Sequence, residues 1–209
     1  MTPAQAAAPL DAAAGVCCLT VLSVSQIPQA RMLAASLKRV HPDWHLVAAV
    51  ADAPPDGPPF EPPEPLFDEV IALPAPQANG APVQALRARD AAQAFALQQL
   101  QAAGHRVMFV LAPGLVVLHP LTPMVDLLEA HAIVLVPHRL AAAVQGHGAG
   151  WPTPTAAPAE VFTPACVAFR CGAPDARFAA EWSRHLRAGQ AAQWLDRVPV
   201  LFDGVHILK

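Results

Sequence analysis

The stretch Arg106-Val-Met-Phe-Val-Leu-Ala-Pro-Gly-Leu-Val-Val-Leu-His-Pro120 decides how this chain folds. Val107 to Leu111 is a short apolar run of β-branched and large residues, the pattern of a strand buried on both faces. It stops at Ala112-Pro113-Gly114, where proline removes a ladder donor and glycine permits a sharp turn. A second apolar run, residues 115–118, follows at once, and then a helix start at Leu121-Thr-Pro-Met124. In an open α/β sheet, ligands sit beyond the carboxyl end of such a central strand. The turn at 112–114 is therefore expected at the active edge, yet it holds no acid, base or nucleophile.

Outward from this strand, apolar runs alternate with helical periodicity. Residues 15–23 read as a first buried strand, and 29–40 as a helix with Ile27, Ala30, Leu33, Ala34 and Leu37 along one face. Strands are predicted over 46–51 and 67–73, separated by a proline-rich irregular stretch at 53–65. Residues 82–103 read as a long helix closed by Gly104 as its C′ residue, with Leu86, Phe95, Leu97 and Leu100 as core candidates. After the central strand, Thr122 is expected to cap a helix with Pro123 at its first position. A strand at 133–136 ends in Pro137-His138, and 145–158 is Gly/Pro/Thr-rich loop. Then come a strand at 165–170, a helix at 174–186 with Phe178, Trp182 and Leu186 inward, a helical turn at 191–195 and a last apolar segment at 200–208. This alternation predicts an α/β layered fold with a mainly parallel sheet.

Composition narrows the function classes. Charged residues are 14% of the 209 and net charge is −3, so no basic face offers itself to nucleic acid. No apolar stretch reaches the ~18–20 residues of a membrane span, because Pro113 and Gly114 interrupt the longest candidate. Residues 1–14 lack a positive n-region and read as a disordered Ala/Pro leader, not a signal peptide. Residues 15–209 are then one domain. The four cysteines fall as Cys17-Cys18 and Cys166…Cys171. Neighbours in a strand face opposite ways, which favours buried structural thiols in a reducing cytoplasm over a metal site drawing one Cys from each pair.

Four segments recur in a fixed order: Ala30-Arg-Met-Leu-Ala-Ala-Ser-Leu-Lys38, Arg106-Val-Met-Phe-Val-Leu-Ala-Pro-Gly-Leu115, Ile133-Val-Leu-Val-Pro-His138 and Trp194-Leu-Asp-Arg-Val-Pro-Val-Leu-Phe-Asp-Gly-Val-His-Ile-Leu-Lys209. With them the chain resembles bacterial glycosyltransferases related to the retaining family 8 enzymes. The resemblance runs from Val16 to the end and is most specific in the terminal segment. It implies a Rossmann-like nucleotide-diphospho-sugar transferase (GT-A) fold, a UDP- or GDP-sugar donor and Mn²⁺ or Mg²⁺. Family members also continue beyond the position of Lys209, so the chain is expected to lack the family's C-terminal part.

The family's Asp-x-Asp holds the cation that clamps the diphosphate. Its positions correspond here to Ala112 and Gly114. A helix lysine facing the donor corresponds to Gln93, and the Asn and Gly of a Phe-Asn-x-Gly strand to Thr163 and Ala165. An Asp-Gln pair corresponds to Ala191-Ala192, and the Asn-Tyr at the base pocket to Ser25-Gln26. A charge pair about 4 Å apart is worth ~4 kcal/mol at an effective dielectric of ~20. Each ~1.4 kcal/mol lost from a transition state costs about tenfold in rate. With no Lys or Arg inside the turn, losing both carboxylates predicts transfer weakened by orders of magnitude.

The expectation is thus a glycosyltransferase-like protein whose inherited sugar transfer is weak or lost, with no catalytic residue, metal ligand or cofactor assigned. The alternative is a non-catalytic binding or scaffold subunit partnering an active glycosyltransferase. Thr20 and Ser23 are the candidate nucleotide contacts, and Asp90 and His138 the candidates at the cleft edge. His119, His138 and His147 have no recognised zinc spacing. Asp196 and Asp203 read as helix-end and turn residues, and His206 as a core or edge histidine.

Overall fold

The computed structural model describes residues 15–54, 65–74, 82–137, 161–172 and 176–209. The predicted leader, most of the 53–65 stretch and the 145–158 loop lie outside them. Strands β1 (Val16–Leu22), β2 (His45–Ala53), β3 (Glu69–Pro74), β4 (Val107–Leu111), β5 (Ile133–Pro137), β6 (Phe162–Arg170) and β7 (Val205–Ile207) form one sheet in the order β3-β2-β1-β4-β6-β5-β7. The strands run parallel except β6, which lies antiparallel between β4 and β5.

Two-sided burial explains the unbroken apolar runs at the centre. In β1, Cys17, Leu19 and Val21 join Met108 and Val110 of β4 under α2 (Pro82–Ala102) and α4 (Arg177–Arg187). Cys18 and Leu22 join Phe109 and Leu111 on the opposite face, under α1 (Ile27–Val40) and α3 (Thr122–Ala130). Burying side chains of this size stabilises by about 1.5–3 kcal/mol each. As expected, α4 turns Phe178, Trp182 and Leu186 inward. Phe178 and Trp182 there pack with centroids 5.5 Å apart, and Phe169 of β6 lies 4.9 Å from Phe178.

Several local expectations need correction. Helix α1 starts at Ile27, two residues early, because Pro28 fits the first turn, where its missing N–H is not needed. In α2, Leu97 and Leu100 are buried, but Leu86 is 60% and Phe95 40% exposed. Ala92, Ala94 and Ala96 occupy the core instead, since small side chains let this helix lie close to the sheet. Thr122 does not cap α3. Leu121 holds the N-cap position, and its N–H donates to His41 Nε2 at 2.8 Å. That bond anchors the residue before the helix, and no side chain at the N-cap position accepts from the first turn.

The start of β6 also differs from the prediction, at Phe162 and not at 165. Pro164 hides this extension, and Asp196 Oδ1 fixes it by accepting the N–H groups of Val161 and Phe162 at 2.9 and 3.1 Å. The predicted apolar segment at 200–208 divides between helix α6 (Val198–Leu201) and strand β7. The turn between them needs Gly204, whose φ is +70° and where a Cβ would stand 3.2 Å from the Ala132 nitrogen. Helix α5 (Ala191–Leu195) matches the expected helical turn.

Candidate functional site

Because β6 is reversed, its amino end lies beside the carboxyl end of β4, with the Ala112 N–H donating to the Ala165 carbonyl at 2.8 Å. These ends and that of β1 open onto a cavity of about 390 Å³. Val21, Val110, Leu111 and Ala112 line its floor, and Thr163, Pro164 and Ala165 one wall. A second cavity of about 350 Å³ adjoins it past the end of β2, lined by Ser23, Ser25, Gln26, Ala51 and Asp52. Leu86 and Arg89 of α2 line both. Volumes of this size suit small-molecule ligands.

Helix α2 sets the partition. Leu86, Arg89, Asp90 and Gln93 recur at three and four residues and therefore share one face, directed at the strand ends. Leu86 is exposed because it stands at this mouth. Burial lowers the Arg89 guanidinium pKa against the opposing influence of Asp90, and burial likewise pushes the Asp90 carboxyl up against Arg89. Arg89 makes no ion pair among the described residues. Trp182 is fully buried and lines the first cavity, and its indole N–H has no acceptor among the described residues.

The positions at which the sequence departs from the glycosyltransferase pattern come together here. Ala112, Gln93, Thr163, Ala165 and Ala191 line the first cavity, and Ser25 and Gln26 the second. The turn after β4 is closed by the Leu115 N–H donating to the Ala112 carbonyl at 3.1 Å. Gly114 does not use the left-handed region, and a Cβ on it would meet nothing within 4 Å. Thr163 Oγ1 accepts the Ala165 N–H at 3.1 Å.

These walls do not fit a divalent cation. Mg²⁺ or Mn²⁺ at a diphosphate site needs hard oxygen ligands, usually carboxylates. The first cavity offers the Ala112 methyl and a single carboxylate, Asp90, half-buried beside Arg89. Among the described residues no group of three His, Cys, Asp or Glu side chains could hold a metal.

Ser23 lines the second cavity, with its N–H donating to Gln26 Oε1 at 3.1 Å. Asp90 lies at the cleft. Thr20 does not: it is fully buried, and strand alternation puts it with Cys18 and Leu22 on the α1 face, turned away from both cavities. His138 and His147 lie outside the described residues, and His119 is exposed.

Cys17 and Cys18 do face opposite ways, with Cys171 on the first face and Cys166 on the second. All four are free thiols, and burial pushes Cys166 up to about 11 and Cys171 to about 12. Asp203 stands before the Gly204 turn, and His206 packs 4.8 Å from His131 on β7. The sequence reading missed Arg89. Its only mark in the sequence is its place one helical turn before Gln93.

An open sheet with a reversed strand beside the central one, and cavities at the strand ends, is the GT-A architecture of nucleotide-diphospho-sugar transferases. Solved structures of that class superpose on most of this chain. The galactosyltransferase LgtC with donor and acceptor sugar analogues matches with a TM-score of 0.51 and 13% identity, over 92% of this chain and 73% of that one. An active-site mutant of LgtC gives 0.55 and 14%, over 92% and 72%. The bifunctional glycosyltransferase WbbM in its apo form gives 0.55 and 12%, over 97% of this chain and 40% of WbbM. At these identities the likeness defines the fold. No family model and no curated protein matches the sequence.

Proposed function

We propose that the protein binds a nucleotide-sugar in the paired cavities and is a glycosyltransferase-like protein in which transfer has become weak or been lost. The observation that supports this reading most is the convergence of the replaced positions on one cavity. Ala112, Gln93 and Ala191 lack the charge that the resemblance implies, Thr163 and Ala165 differ from the expected Asn and Gly, and all five line a cavity that persists. Had the whole site decayed freely, Arg89 and Asp90 would have little reason to occupy a partly buried wall. The four free thiols, three of them buried, support a reducing, cytoplasmic setting. Among the described residues no helix is long and apolar enough to cross a membrane.

Titration with UDP, GDP and their sugars, with and without Mn²⁺, followed by thermal melting, tests the proposal. Ligand at about 100 times its dissociation constant should add ~2.7 kcal/mol of stability. The expected result is stabilisation that persists in chelator, together with sugar transfer at or near background. A shift that appears only with Mn²⁺ would contradict the lost cation site, and no shift with any nucleotide would contradict nucleotide-sugar binding. The second reading, a scaffold that pairs with an active transferase, is favoured by apolar residues left in solvent near the end of the chain. Val200 is 89% and Leu201 48% exposed on α6.

A further inference from the structure

We infer that Arg89 is an anion-recognition residue, holding the diphosphate of a nucleoside diphosphate or its sugar conjugate with no metal ion between them. The inference rests on the nucleotide-binding reading and adds to it the chemistry by which the site neutralises its ligand.

Three observations support it. Arg89 is the sole cation among the described residues lining either cavity, and it lines both. A nucleotide-sugar has two ends joined by a doubly charged bridge. A ligand with its nucleoside in the cavity of Ser23, Ser25, Gln26 and Asp52, and its sugar in the cavity of Ala112, would pass its bridge across the wall that Arg89 forms. Second, the guanidinium has been taken partly out of water with no ion pair among the described residues, an arrangement that an incoming anion relieves. Third, where a cation-binding pair would stand, the turn presents Ala112 and Gly114, so no carboxylate there competes for the guanidinium.

Two carboxylates face the ligand. Burial moves the Asp90 carboxyl up against the opposing pull of Arg89, and the two side chains form no ion pair among the described residues. Asp52 sits in the nucleoside cavity with Oδ1 already accepting the Val24 N–H at 2.7 Å, placed to accept ribose hydroxyls or base N–H groups. Arginine suits the task through its planar fork, which engages two phosphate oxygens at once, whereas lysine offers only a point charge.

The test is calorimetric titration of the full chain in EDTA with UDP, GDP, uridine, guanosine and inorganic pyrophosphate, repeated with Mn²⁺. Wild type, Arg89→Gln and Arg89→Lys are compared, with circular dichroism to verify folding. The diphosphates should bind without metal, and Mn²⁺ should alter affinity less than about twofold. Arg89→Gln should weaken diphosphate binding by about 10–100-fold, the size of a lost hydrogen bond to a charged group, and leave nucleoside binding nearly unchanged. Arg89→Lys should fall between, and it carries the comparison if the glutamine variant does not fold. Diphosphate binding that requires Mn²⁺, or that survives Arg89→Gln unchanged, overturns the inference while nucleotide binding stands. Pyrophosphate binding that depends on Arg89, with no nucleotide bound, supports the anion site and overturns the nucleotide reading. No binding of any probe to wild type overturns both.

Discussion

At position 112 a methyl group stands where the resemblance implies a metal-binding carboxylate, and at 114 a hydrogen atom stands where the second would be. Because Gly114 has an ordinary φ and open space around an added Cβ, both positions accept side chains without rebuilding the turn. Ala112→Asp combined with Gly114→Asp is therefore expected to fold and to acquire Mn²⁺ affinity measurable by calorimetry. A folded double variant that takes up no more manganese than wild type would show that this turn is not the metal position. His41 governs a different property. Its ring stacks on Trp44 at 3.6 Å, and its Nε2 accepts the Leu121 N–H, which requires the neutral imidazole. Burial accordingly lowers its pKa below 6.5. The unfolded chain then binds more protons than the folded one between the two values, so this contribution is complete above about pH 6.5 and fades as pH falls toward the folded value. His105, lowered mainly by burial, adds in the same direction. Melting temperature should drop between about pH 7 and about pH 5, and less steeply in His41→Gln, whose amide oxygen can still accept the Leu121 N–H.

At the scale of elements, α2 separates what the sequence makes legible from what it does not. Strands β1 and β4 and helix α4 can be read directly. The strands are buried on both sides and so apolar throughout, and α4 spaces Phe178, Trp182 and Leu186 at intervals of four. Helix α2 offers no such contrast, because alanine occurs on every face and a large residue is easily mistaken for an inward one. Its orientation is set by which side chains are small enough to approach the sheet, a tertiary property. Ala96→Leu should then cost about 1–3 kcal/mol in chemical denaturation, since the added volume has no room. Phe95→Ser, on the exposed face, should stay within about 0.5 kcal/mol. Equal losses at both sites would mean that the helix is rotated from the orientation described. The anchor at the start of α3 was hidden for a related reason: the His41 ring that accepts the Leu121 N–H lies eighty positions away. At the site, the edge of the sheet was legible from the strand-turn pattern and Asp90 from its place on the long helix. That Arg89, one residue earlier, lines both cavities is created by folding, and Thr20 joins the opposite face because strand alternation, not nearness to the strand end, decides it.

Across the whole molecule the sheet divides two apolar cores, and the free thiols are divided with it. Cys17 and Cys171 belong to one core, and Cys18 and Cys166 to the other. Burial raises all four pKa values above the usual thiol range, so hardly any thiolate exists at neutral pH. A sulfhydryl reagent therefore finds no way to Cys17, Cys18 or Cys171 until the layers separate, while half-buried Cys166 is the one it approaches first. Alkylation of Cys17 and Cys18 becomes a clock for global opening, with paired modification registering that both sides of the central strand have been laid bare together.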